Sequence, residues 1–494
     1  MALLLVGCIF DRSGVRPYTI DADFADSDAG VADAESDGAG SEGSARTDTG
    51  VGDSGTLTDG VVPEDRPGSA DKSLVDGPTP ADLLQPDSAK PCPATCPIAC
   101  QPGTSTCPEP KNVVVAQLPT PCSALTVPQG MVWRLCSNPS TSCKIVAGLS
   151  CNTLSPSCSG KAVSQTSGGQ VCVFALPALT VEAGATLQVR GAAPAILVVK
   201  NTALVAGSVD ASAPGVNAGA GGGDGGQTDV NGKGSSGAGT GGGKTCDCQT
   251  SEDNYDDCGG GGGGYATAGG SGGLEGGKFC SSGPSPAGGA VYGDKALVPL
   301  LGGSGGGSGD VGNAAQADPG DGGGGGGAIQ ISAATLVLSG AVLANGGGGG
   351  GGQSSTSTYP GGGGGGGSGG GILLEAITFQ GSGWAMAAGG GGGGGGDGCT
   401  AGDGGQSKLV SGTEQPPTGG ADCNSGGDGG TGAYGPPSAA GNGQNAGIWE
   451  GPGGGGGGAG YLRFNGFGPS VSCPPSGVQT SGSVSCGTMS VFSP

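Results

Sequence analysis

Apolar residues in this chain come in short runs set between turn formers. Val113-Val114-Val115, Val132-Trp133-Arg134-Leu135, Val171-Cys172-Val173-Phe174 and Leu179-Thr180-Val181 are rich in β-branched and aromatic side chains. Gly, Pro, Asn and Ser punctuate them, and no run sustains a helical period. The pattern predicts short β-strands and an all-β fold.

Three segments repeat the pattern in one register: AILVVKNTALVAGSVDAS from Ala195, AIQISAATLVLSGAVLAN from Ala328 and GILLEAITFQGSGWAMAA from Gly371. Laid over one another without gaps, they align Ile196 with Ile329 and Ile372, and Thr202 with Thr335 and Thr378. They also align Gly207 with Gly340 and Gly383, and Ala211 with Ala344 and Ala387. A damaged fourth copy begins at Tyr461. Each copy has room for three short strands with the Gly at a bend, the size of one coil in a stacked parallel β-structure. A β-sandwich also has short alternating strands, but it leaves the shared register unexplained. The expected fold is a short right-handed parallel β-helix, with coils within 171–470 and the three isoleucines stacked inward.

Glycine-rich tracts interrupt the coils at 212–327, 346–370 and 389–459, each after the last strand of a copy. Insertions at one corner of a repeat fall on one side of a solenoid. The tracts are therefore expected as long loops on one side, and Gly346–Gly352 as a stretch that can be removed at little cost. Gly and Pro together make up 156 of 494 residues (122 and 34), a level typical of low-complexity chain. The glycines run in blocks and not at every third position, which excludes a collagen helix.

The chain opens Met1-Ala2-Leu3-Leu4-Leu5-Val6-Gly7-Cys8, an apolar run too short to span a bilayer. Leu5-Val6-Gly7-Cys8 resembles a bacterial lipobox, in which cleavage precedes a Cys that receives the lipid. The basic n-region is missing, which points to a start further upstream, so residues 1–8 read as a truncated lipoprotein signal. The resemblance implies a lipid on Cys8 and, with Ile9 and not Asp following it, the outer membrane. Residues 9–90 read as a disordered acidic tether: 11–90 alone carry 18 Asp or Glu against 6 Lys or Arg, with too little apolar surface to offset chain entropy. Of the 19 Cys, 18 remain after lipidation, an even number that suits disulfides in an oxidising compartment. Residues 91–170 are expected as a Cys-rich β segment or cap, and 471–494 as a disulfide hairpin closed by Cys473 and Cys486. In the cluster Cys92, Cys96, Cys100 and Cys107, zinc is the weaker reading, for lack of a C-x2-C pair or any His.

The absence of His excludes Ser-His-Asp and Cys-His catalysis and histidine metal sites. A net charge of −22 argues against nucleic acid. Ala238–Thr245 matches a loose phosphate-loop pattern, but no strand precedes it and no helix follows. The strand carboxylates Glu182, Asp210 and Glu375 do not recur at matching repeat positions and are expected to face solvent, so no catalytic pair is drawn from them. No cofactor or metal site is expected.

Residues 170–468, through Leu179–Ser212, Ala290–Gly303 and the repeat, resemble a family of Gly-rich exported proteins of Gram-negative bacteria, labelled PE-PGRS-like from composition. The helical PE domain is absent, and no function is carried across. The sequence is thus expected to encode a non-enzymatic, cell-surface lipoprotein with a structural or adhesive role, held to the membrane by its lipid. The alternatives are a carbohydrate-binding module that stacks surface polysaccharide on Trp384, Trp449 and Tyr461, and a polysaccharide-degrading β-helix.

Overall fold

The computed structural model describes residues 92–492, except 102–103, 153–155, 166–167, 230–232, 247–256, 277–285, 312–316, 355–359, 411, 436–437 and 468–471. Cys8, the 9–90 segment, Cys248 and Cys280 lie outside the described residues. Within them the fold is all-β, with one short 3-10 turn at Val115–Gln117, and no sheet closes into a barrel.

Two parallel sheets form the framework. In chain order the strands are β1 (Leu125–Val127), β2 (Val132–Asn138), β3 (Leu179–Val181), β4 (Thr186–Arg190), β5 (Ala195–Val205), β6 (Ser208–Asp210) and β7 (Ala328–Leu338). They continue as β8 (Ala341–Leu343), β9 (Gly371–Gln380), β10 (Trp384–Met386), β11 (Tyr461–Gly466), β12 (Gln479–Ser481) and β13 (Ser483–Thr488). Odd-numbered strands build the first sheet and even-numbered strands the second, each in sequence order, so the chain visits the two sheets alternately. Gln170–Leu176 pairs with the first half of β5, and Ser142–Ala147 runs antiparallel to β2.

Alternation along each strand fills the space between the sheets. Leu197, Ile329, Ile331, Ile372, Leu374 and Leu462 from the first sheet meet Leu135, Leu187, Val189, Val209 and Val342 from the second. The Thr and Gly columns of the repeat hold: Thr202, Thr335 and Thr378 are register partners. A Cβ on Gly340 would strike the carbonyl of Gly207, and one on Gly383 that of Gly340. The Ile column does not hold. Ile329 pairs with Ile372, but opposite Ile329 stands Ala195, and Ile196 turns to the other face of the sheet. The cause is a register shift between Val199 and Thr202, where β5 carries one more residue than β7. A β-bulge of this kind flips every side chain on one side of it.

The glycine tracts are ordered, and they form the second half of the molecule. Gly361–Gly370 shows the rule. N–H groups of Gly363, Gly366 and Gly369 donate to the carbonyls of Pro452, Gly455 and Gly458. Those of Gly364, Gly367 and Gly370 donate to Gly350, Gly347 and Ala344, and those of Gly365 and Ser368 to Gly307 and Ser304. Its carbonyls accept from three further threads, around Gly260–Gly263, Gly320–Gly326 and Gly390–Gly396. The direction of bonding repeats every third residue, the period of a polyproline-II helix and not of a β-strand. Each thread is therefore a three-fold rod with up to six neighbours, some parallel and some antiparallel.

Such packing leaves no space for side chains. A Cβ on Gly363, Gly364, Gly365, Gly366 or Gly367 would fall inside 3.0 Å of a neighbouring carbonyl oxygen. Where serine enters the bundle its hydroxyl replaces a carbonyl as acceptor, as Ser368 Oγ does for the Ser304 N–H at 2.8 Å. At the rim, Asn442 and Asn445 accept from the N–H groups of Ser271 and Leu274, again three residues apart. Gly346–Gly352 is one of these rods, bonded through Gly346, Gly349 and Gly352 to Ala388, Gly391 and Gly394, so it is not a removable loop. Rods run directly into β7, β9 and β11 and leave shortly after β8 and β10. The bundle thus lies on the side where each even-numbered strand gives way to the next odd one.

Eight disulfides staple the described residues. Cys143–Cys172 joins the two sheets across the core, and Cys122–Cys158 and Cys136–Cys151 secure the first turns. Cys246–Cys258 and Cys399–Cys423 lie in the glycine-rich half. Cys92–Cys100 and Cys96–Cys107 take up the sulfurs of the N-terminal cluster. Cys473–Cys486 is formed, but the segment is not a hairpin: β12 and β13 do not pair with each other and instead extend one sheet each. The first sheet draws β13 in because β11 would otherwise end it with an unpaired edge.

Replacing Gly366 by Ala forces a methyl group into the bundle and is expected to cost about 1–3 kcal/mol. Gly169→Ala, where a Cβ meets nothing within 4 Å, should leave stability almost unchanged. Denaturant unfolding of the two variants under non-reducing conditions checks the contrast.

Candidate functional site

The polar groups enclosed in the described residues converge on Glu375. Its strand, β9, sends Leu374 and Ala376 into the core between the sheets, so Glu375 points to the outer face of the first sheet. That face is covered. Leu297, Leu300, Val113 and Ile98 pack over Ile196, Val198 and Leu373. Glu375 is consequently 0% exposed, contrary to the solvent-facing position expected from strand alternation alone. The covering segments come from far along the chain, and no local pattern announces them.

Four donors hold the carboxylate. The Lys111 backbone N–H (3.0 Å), Gln330 Nε2 (2.9 Å) and Ser332 Oγ (2.7 Å) donate to Oε2, and Asn465 Nδ2 donates to Oε1 at 2.9 Å. Gln330 Nε2 also reaches the Lys111 carbonyl at 2.8 Å, and Asn112 Nδ2 bridges Gln330 Oε1 and the Leu297 carbonyl. Lys111 Nζ donates to Ser490 Oγ at 2.8 Å, where Cys107–Glu109 pairs antiparallel with Ser490–Phe492. The cluster therefore clamps the segment around Lys111 onto three strands of the first sheet. Burial raises the Glu375 pKa above the usual carboxylate value, and the hydrogen bonds from Asn465, Ser332 and Lys111 oppose that shift. Sequence inspection singled out Glu375 but missed its partners. A signal existed: Ser332, Glu375 and Asn465 are register partners on adjacent strands, a polar column within an apolar repeat.

The other strand carboxylates are elsewhere. Asp210 is on the outer face of the second sheet, bridged to Arg190 Nη2 at 2.9 Å. Glu182 lies at the bend after β3, accepting the Gln129 N–H at 2.8 Å. No two of the three share a face, so they form no acid–base pair.

The three aromatic residues expected to stack sugar are not brought together. Tyr461 is 8% exposed, packed edge-on against Tyr265 with centroids 4.9 Å apart, beneath the cover of the first sheet. Tyr292 stacks on the same ring at 4.7 Å, and burial lifts its hydroxyl to about 12. Tyr461 is thus part of a core and offers no face to a ligand. Trp449 is half-buried in the glycine-rich half, its backbone N–H on Glu275 Oε1. Trp384 lies on the outer face of the second sheet, half-buried, beside a cleft of about 460 Å³ that also includes Thr186, Ser208 and Gln479. Among the described residues no helix is long and apolar enough to cross a membrane.

No protein-family profile, curated protein or solved structure matches the chain.

Because the Glu375 pKa is higher folded than unfolded, folding takes up a proton between the two values. This contribution is fully present below the ordinary value of 4.5 and is lost as pH rises through the folded pKa. Glu375→Gln keeps an acceptor for Lys111, and Asn465 can turn its amide to match. Its stability relative to wild type should rise with pH across that window, measured by urea unfolding from pH 4 upward. Glu375→Leu leaves buried donors without an acceptor and should cost at least about 1–3 kcal/mol at every pH.

Proposed function

We propose that the protein is a non-enzymatic scaffold of the bacterial envelope or matrix, with a structural or adhesive role. In this reading the alternating strands form coils of a right-handed parallel β-helix. The Cys8 lipid and the acidic 9–90 tether hold it to the outer membrane of a Gram-negative cell. The coil reading is supported by the constant register: Ile329 pairs with Ile372 and Ala341 with Trp384 at the same spacing as Thr335 with Thr378.

The observation that carries the proposal is the glycine bundle. Its N–H and C=O groups are spent on one another, and its interior has almost no side chains to offer a substrate. A body built this way suits load-bearing or display, with eight described disulfides suited to an oxidising compartment.

The gene, expressed with its own upstream region in a Gram-negative host, should yield a protein that incorporates palmitate and partitions into detergent. Cys8→Ser should abolish both. Antibody binding to intact cells should detect the wild-type protein. Palmitate labelling unchanged in Cys8→Ser, or protein confined to the cytoplasm, would refute the anchor.

A further inference from the structure

The two sheets differ in what lies on their outer faces. The first is covered, as described; the second shows a largely open face on which side chains fall in rows across the strands. One row runs Gln479, Trp384, Ala341, Ser208, Thr186. The next sets Arg134 beside Gln188 and then Asp210. A third sets Lys144, Cys136 and Arg190 side by side, Cys136 being the register partner of both cations. With strands about 4.8 Å apart, Lys144 and Arg190 are roughly 10 Å apart at the backbone.

Three cations on three adjacent strands are a costly arrangement in a chain of net charge −22. Asp210 offsets Arg190. Arg134 donates to Gln188 at 2.9 Å, while its buried Nε has no partner among the described residues. Burial, and then the nearby Arg190 charge, lower the pKa of the Arg134 guanidinium. Lys144 and Arg190 line a cleft of about 650 Å³ with Asn138, Thr141, Ser142 and Asn152. Those amides and hydroxyls both donate and accept, as sugar hydroxyls do. Four strand spacings along the same face, roughly 20 Å away, the Trp384 cleft offers a half-buried indole among small polar residues.

We propose that the open face of the second sheet binds an acidic polysaccharide, a linear polymer of uronate sugars lying across the strands from Trp384 to the Lys144–Arg190 cleft. The indole takes the apolar face of one sugar ring, and the guanidinium and ammonium groups take carboxylates. No bond is made or broken. The site stands whether or not Cys8 carries a lipid. It gives the adhesive role a ligand class and replaces the Trp384, Trp449 and Tyr461 grouping with one that the fold brings onto a single face.

The test is calorimetric titration of the oxidised, full-length protein with polygalacturonate, its dimer, neutral dextran and inorganic polyphosphate. Saturable binding of polygalacturonate is expected, at least tenfold weaker for the dimer, which cannot span both clefts, with none for dextran. Lys144→Gln and Arg134→Gln should each weaken binding about fivefold and Trp384→Ala about tenfold, while Ile448→Ala, 63% exposed, should have no effect. Thermal melts confirm that each variant is folded; if Trp384→Ala is not, Trp384→Leu replaces it. Absence of polygalacturonate binding, or binding unchanged in the folded Lys144 and Trp384 variants, would overturn the proposal. So would polyphosphate binding that matches polygalacturonate and ignores Trp384.

Discussion

The closest distance at which two backbones can meet when neither bears a side chain sets the architecture of the glycine-rich half. At that distance each N–H can reach a carbonyl on a neighbouring rod, and three successive residues address three neighbours. Glycine loses more conformational freedom on folding than any other residue, so isolated glycine tracts stay disordered. Here the loss is offset because nearly every backbone group finds a partner away from water. The bargain holds only collectively: a rod lacking its neighbours would have unpaired groups all round. Collagen meets a milder form of the constraint, needing glycine at one position in three; the interior rods of this protein need it at all three.

The paired sheets give the rods their anchorage. Each rod that enters β7, β9 or β11 does so beside an alanine column, Ala211, Ala344 and Ala387, which is fully buried. Gly327 donates to the Ala211 carbonyl, Gly370 to Ala344 and Gly460 to Ala387. Small side chains at that seam let the wide spacing of a side-chain-filled core narrow to that of the bundle. On the far side of the first sheet, the clamp around Glu375 ties down segments from both ends of the described chain. The second sheet has no such cover, which is why its polar rows remain available.

Much of the framework was legible in the sequence. The repeat carries its own register, since the Thr, Gly and Ala columns are imposed by stacking and survive drift elsewhere. The Ile column misled because an alignment without gaps cannot represent the extra residue between Val199 and Thr202. The order in the glycine tracts was not legible, because poly-glycine reads the same whether solvated or packed; only the long-range partners distinguish the two. Glu375 failed for a similar reason. Strand alternation tells which face a residue points to, but not whether a segment such as Lys111–Val113 will lie over that face. The cationic rows on the second sheet became visible only when Lys144 and Arg190, far apart in the sequence, met across Cys136.

The three-residue repeat of the rods also restricts how such a gene can change. Low-complexity glycine coding sequence tends to gain and lose codons. In a solvated linker, one glycine more or less is neutral. In this bundle one extra residue rotates the rest of the rod by about 120°, so every later N–H faces the wrong neighbour. Three residues restore the orientation and merely lengthen the rod by one turn. Tract lengths in relatives of this protein should therefore differ in steps of three, and the reading frame of the bundle is a triplet of amino acids, much as that of its gene is a triplet of bases.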